Sequence, residues 1–194
     1  MDEFSYINSI AWTIKTKKYC IVCSEIADLK MKEFNEIADD IQNKFGCEMM
    51  AKGSIRKYGR KIIIEELILP EKVMAVKKLG KLGLYDSRRK RVCGSGVYGS
   101  HEFYEWSDDW DVATGSFRIF ESSRYLERTK NCNFVIHSHL SSHLPSKEDY
   151  KYCLSNNMEF SGIRNKGKTY LYMISGKDEI SGNEKKGYSL ICTF

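Results

Sequence analysis

The chain has 194 residues, 42% of them hydrophobic and 29% charged, with 14 Gly and 2 Pro, which suits a folded chain and excludes collagen-like, low-complexity and disordered classes. Its net charge of +5 is a modest excess, spread along the chain apart from Arg88, Arg89, Lys90 and Arg91, and gives little reason to expect a nucleic-acid partner. No apolar run approaches the roughly 20 residues of a membrane helix, and Asp2 and Glu3 stand where a secretory leader would be basic, so a cytoplasmic protein with no membrane partner is expected.

Seven scattered cysteines, an odd number, suit reduced thiols better than a disulfide framework. Cys20 and Cys23 form a C-x-x-C pair, but it lies in a strand-like run with no second pair at zinc-ribbon spacing, so core packing is expected of it.

In chain order, residues 1–16 read as an N-terminal extension, with a first strand somewhere within 12–23. Over 25–45 the apolar Phe34, Ile37, Ala38, Ile41 and Phe45 recur at helical spacing, and Gly46 is a natural stop. Residues 47–55 and 61–69 read as a hairpin about the turn Lys57-Tyr58-Gly59-Arg60, ended by Pro70. Residues 80–115 hold six glycines, the basic cluster and an acidic aromatic tract from His101 to Asp111, and are expected to be an irregular insertion. A helix over 117–130, a strand over 133–140, a helix from Ser146 to about Leu154 and strands over 169–174 and 188–193 complete the reading. Interleaved helices and strands predict one α/β domain over 1–194, with a mixed central sheet flanked by helices.

The chemistry concentrates in His137-Ser138-His139 and the segment after it. Side chains alternate along a strand, so the two imidazoles would project to the same side. Imidazole nitrogens are good zinc ligands, and a catalytic zinc takes three protein donors and leaves a position for water. Asp149, on the first turn of the following helix, would supply the third donor. Ser146 and Asp149 also have an ordinary role, as cap and first-turn acid of a helix, and the two roles are compatible. His143, mid-loop before Pro145, is expected at the rim. A hydrolytic site needs a general base that is not itself a ligand, and Glu48, Glu65 and Glu66 are open candidates.

His137-Ser138-His139, Pro145-Ser146 and Asp149 resemble the His-x-His…Ser-x-x-Asp signature of the JAMM (MPN+/JAB) metalloproteases, most of all the small prokaryotic and phage JAB proteins. In that family a glutamate opens a strand after a helix, in the form Glu-x-x-Gly-x-x-x-Gly, and Phe45-Gly46-Cys47-Glu48-Met49-Met50-Ala51-Lys52-Gly53 occupies that place. The resemblance implies a JAB/MPN, cytidine-deaminase-like fold and one zinc per chain held by His137, His139 and Asp149. It also implies Glu48 as general acid/base and Ser146 as the hydroxyl that steadies the oxyanion. The implied reaction is hydrolysis of an amide or isopeptide bond in a protein or peptide, such as a ubiquitin-like conjugate. Two departures are Leu140, where the family has Pro after the second His, and Ala51, in place of a Gly of the glutamate motif.

Two other functions compete. A non-catalytic JAB-like domain would bind a ubiquitin-like or other protein partner; a phosphoesterase would want more carboxylates and often a second metal. Within the insertion, Tyr104, Trp106 and Trp110 interleave with Asp108, Asp109 and Asp111, so Trp106 and Trp110 are candidates to grip a basic peptide tail, or else cover the domain's own core.

Overall fold

The computed structural model of the protein describes residues 9–45, 48–69, 76–78, 101–103, 111–114, 118–121, 123–175 and 187–194. The elements in order are β1 (Ile10–Lys15), β2 (Cys20–Ser24), α1 (Glu25–Phe45), β3 (Glu48–Tyr58), β4 (Lys61–Ile68), β5 (Val76–Lys78), β6 (His101–Phe103), β7 (Asp111–Thr114) and β8 (Arg118–Glu121). They continue with α2 (Ser123–Arg128), β9 (Phe134–Ser138), α3 (Lys147–Ser155), β10 (Phe160–Asn165), β11 (Lys168–Ile174) and β12 (Tyr188–Thr193).

β2 runs into α1 without a loop. Ser24 makes this possible: its hydroxyl accepts from the Ala27 N–H at 3.0 Å as an N-cap and donates to the Glu65 carbonyl at 2.6 Å, tying the helix start to β4. Ala27, Met31, Phe34 and Ala38 form the buried stripe of α1, which lies against the sheet. β3 and β4 form the expected hairpin, but β3 continues to Tyr58 and the turn is only Gly59-Arg60. Gly59 has φ +55°, which a two-residue turn with glycine first requires.

The main path of the sheet is β1-β2-β4-β3-β9-β10-β11-β12, with β7 pairing to β3 and β8 to β7. Pairing is mixed: β2 with β4 and β9 with β10 are parallel, the rest of the path antiparallel. The sheet curls until its ends meet, and the rings of Trp12 on β1 and Phe194 after β12 lie 4.8 Å apart. The α1 face is packed with Ile21, Met49, Ala51, Ile62, Phe134 and Ile136. Met50 and Val135, from the alternate positions of β3 and β9, pack with Cys153 and Met158 in a second, smaller cluster beside α3. Thus β9 is covered on both faces, and α3 serves as the crossover of a parallel βαβ unit.

Several expectations need correction. Residues 10–15, taken as part of an extension, form the first strand of the sheet. The helix expected over 117–130 is a strand, β8, followed by the six-residue α2; a short apolar run satisfies both periods, and pairing with β7 decides for the strand. Two strands, β6 and β7, lie inside the expected insertion, and β7 joins the sheet beside Glu48 and Met49. Trp106, Trp110 and the basic cluster lie outside the described residues. β10 was missed because Ser161-Gly162 breaks its pattern. Gly162 faces Phe134 and Ile136, whose side chains would stand 3.1–3.2 Å from any added Cβ. Among the described residues the C-x-x-C pair belongs to no group that could hold a metal; Cys23 sits in the core, where burial and then the charge of Asp28 push its thiol up to about 12. Among the described residues no helix is long and apolar enough to cross a membrane.

Gly53 is placed so that a Cβ would collide with the Glu66 carbonyl on β4, whose backbone cannot move away cheaply. Gly53→Ala should therefore cost about 1–3 kcal/mol, read as a lower urea midpoint at unchanged slope; an unaltered midpoint would contradict this close approach.

Candidate metal centre

His137 is the fourth residue of β9 and is 3% exposed; His139 follows the strand's last residue and is 8% exposed. The rings converge as alternation predicts, with centroids 4.6 Å apart and Nε2 atoms separated by 2.9 Å. Asp149 reaches them from the first turn of α3, its Oδ1 3.3 Å from His137 Nε2 and its Oδ2 3.2 Å from His139 Nε2. Tetrahedral zinc with bonds of roughly 2.0–2.1 Å sets its ligand atoms about 3.3 Å apart, so these separations are near those of a coordination shell. His137, His139 and Asp149 form a group that could hold a metal ion, and no other such group occurs among the described residues.

Local structure aims each donor. The α3 terminus is a full capping box: the Asp149 N–H donates to Ser146 Oγ at 3.1 Å, and the Ser146 N–H donates to Asp149 Oδ2 at 2.6 Å. The cap thus fixes the carboxylate that faces the imidazoles. His139 Nδ1 lies 2.9 Å from the Ser142 carbonyl. A carbonyl only accepts, so Nδ1 carries the proton, and in the neutral ring Nε2 keeps its lone pair toward the other donors. A second hydrogen bond of this kind is the usual companion of a metal-bound histidine.

Glu48 opens β3 and is 8% exposed, with Oε1 accepting from the Leu140 N–H at 3.3 Å. Burial raises its pKa above the usual carboxylate value, against the lowering effect of the two histidines and that N–H. Burial also acts to raise Asp149, but the charge of His137, hydrogen bonds from the two imidazoles in their protonated form and the Ser146 N–H outweigh it and hold the carboxyl well below its ordinary range. For His139 burial lowers the pKa, while the hydrogen bond and charge of Asp149, with Glu48 behind, more than offset this and leave it raised.

Glu48, His139, Ser146, Glu148 and Asp149 line one cleft of about 270 Å³, with Leu144 on its wall. Of the three candidate bases, only Glu48 lies there. Glu65 pairs with Arg56 at 2.7 Å and Glu66 accepts from Ser54 Oγ at 2.9 Å, both along the β3–β4 hairpin. His143 is exposed and stacks on Tyr170 with centroids 4.5 Å apart. Sequence reasoning missed the groups that hold this arrangement: Ser138 Oγ accepts from the Met49 N–H at 2.9 Å, joining the strand of Glu48 to that of the histidines, and Gln42 and Asn165 both donate to the His139 carbonyl. No local pattern marks them, since each acts across a long sequence separation. The sequence matches no family model and no curated protein.

The metal-free protein should show the charge pattern in its stability. The His139 pKa is raised from 6.5, so its stabilising effect is complete below pH 6.5 and is lost as pH rises through the raised value. The Asp149 pKa is lowered from 3.8, so its effect is complete above pH 3.8 and is lost as pH falls. With chelator present, the melting temperature should be highest between these limits and fall toward pH 8, and His139→Gln should flatten the alkaline fall. A wild-type melting temperature that climbs from pH 6.5 to 8 would oppose this arrangement of charges.

Proposed function

We propose that the protein is a zinc-dependent metallopeptidase of JAMM type that hydrolyses an amide or isopeptide bond in a protein or peptide, ubiquitin-like conjugates being the first substrates to try. The carrying observation is the pairing of three converged donors, one with its tautomer fixed by the Ser142 carbonyl, with a fourth ionisable group, Glu48, in the same cleft and outside the donor set. The JAB/MPN reading of the fold is supported by the mixed sheet and by the order of the pieces: the glutamate after a helix, the histidines at the end of β9 and the aspartate on the helix that follows.

A zinc ion held by His137, His139 and Asp149 would supply Lewis acidity, making a water easier to deprotonate and an amide carbonyl easier to attack. The chain's own residues do the rest. The Glu48 carboxylate, whose pKa burial raises, takes a proton from the water as the water oxygen bonds to the carbonyl carbon; it later gives that proton to the departing nitrogen as the C–N bond breaks. Ser146 Oγ uses a lone pair to cap α3, which leaves its O–H to donate to the oxygen that gains charge.

A partner-binding domain would have no use for a nearly buried carboxyl facing two histidines, which costs stability in the empty site. A phosphoesterase with two metals would need a second donor group, and the described residues contain one.

Glu48→Gln should keep one zinc per chain and reduce turnover of a cleaved isopeptide-linked conjugate by about 10²- to 10⁴-fold. The same variant should melt higher than wild type in chelator at neutral pH, because it removes a carboxyl whose pKa burial raises and which therefore costs stability above its ordinary carboxylate value. Cleavage that withstands both the substitution and chelation would overturn the metallopeptidase reading.

A further inference from the structure

The strand that carries the first histidine ends before the second. The last pair of the β9–β10 ladder is Ser138 with Arg164, so His139 lies one residue past it. β10 supplies one more residue, Asn165, and then turns back through Lys166 and Gly167, at φ +47° and +78°, into β11. A ligand on an unpaired strand end would swing, and a coordinating group has to be held to within about 0.5 Å.

Yet the His139 backbone is fully engaged. Its N–H donates to the Arg164 carbonyl at 2.8 Å. Its carbonyl accepts from Asn165 Nδ2 at 2.9 Å and from Gln42 Nε2 at 3.2 Å. Asn165 is 5% exposed, so its amide is committed to the interior. One turn before Gln42, Asp39 receives Arg164 through two bonds of 2.7 and 3.3 Å, which anchor α1 to β10 beside the same rung.

We infer that Asn165 is a positioning residue of the metal centre. Its side-chain amide continues the β9–β10 ladder by one rung past the end of backbone pairing, and so fixes the direction of His139 Nε2, with Gln42 as the second donor. The inference rests on the reading that His137, His139 and Asp149 hold a divalent cation. An asparagine that merely satisfied a buried carbonyl would affect stability alone; one that aims the ligand affects the metal.

The test uses the full chain with zinc and with cobalt(II), comparing wild type, Asn165→Asp and Gln42→Leu. Aspartate keeps the size of asparagine but presents no N–H to the carbonyl; Gln42 is half-buried and its replacement should be tolerated, so Gln42→Leu decides if the first variant fails to fold. Zinc affinity by chelator competition should fall about 10- to 100-fold in Asn165→Asp and less in Gln42→Leu. The visible cobalt(II) spectrum, which reports coordination geometry, should change in the same order. Folded variants with wild-type affinity and an unaltered spectrum would overturn the inference alone. A wild-type chain that binds neither metal would instead overturn the metal centre, and the inference with it.

Discussion

The parallel ladder between β9 and β10 is the constraint from which the site follows. Parallel neighbours cannot be joined by a tight turn, so the chain must leave the carboxyl end of β9, cross the sheet and return. It does so through α3, whose first turn therefore stands next to the residues where β9 ends. His137 and His139 occupy that end and Asp149 that first turn. Three donors separated by up to twelve positions meet because one strand must run alongside another in the same direction.

The capping box of α3 then serves two purposes with one set of atoms. Ser146 and Asp149 satisfy the exposed N–H groups of the helix start, as the same pair would in any helix. The geometry that does this also presents Asp149 to both imidazoles. A local stabilising device has in this way become part of the candidate centre, and the carboxylate cannot rotate away without losing its hydrogen bond from the Ser146 N–H. Glu48 is held differently, by long-range bonds: the Leu140 N–H meets its carboxylate, and Ser138 Oγ meets the neighbouring Met49 N–H. Its burial, with a raised pKa, places a costly charge where catalysis would use it, and such sites are commonly less stable than their surroundings could be.

The legible parts of the fold were those with a strong local period or a definite stop. α1 has its buried stripe, the β3–β4 hairpin has Gly59, and α3 has its cap. What escaped were strands whose pattern is interrupted or too short. β10 contains Gly162, where a Cβ would meet the Phe134 and Ile136 side chains at 3.1–3.2 Å, a tight contact. β8 reads equally well as the first turn of a helix, and only its pairing with β7, itself inside a stretch that reads as irregular, makes it a strand. At the site, the histidines and Asp149 were legible as residue types at suggestive spacing, whereas Asn165, Gln42 and Ser138 were not.

What the amino-acid sequence determined by itself is the local chemistry: two imidazoles of one hand, a serine and an aspartate three apart at a helix start, and a choice of three glutamates. These depend on neighbours within a few residues, where alternation and capping rules operate. Only the tertiary structure decided which glutamate enters the cleft, and which distant amides hold His139 once its strand has ended. Glu48 and Glu65 both sit on strands beside apolar residues, and nothing nearby in the chain separates them. The order of strands in the sheet does, because β3 lies directly against β9 whereas β4 is one strand further away.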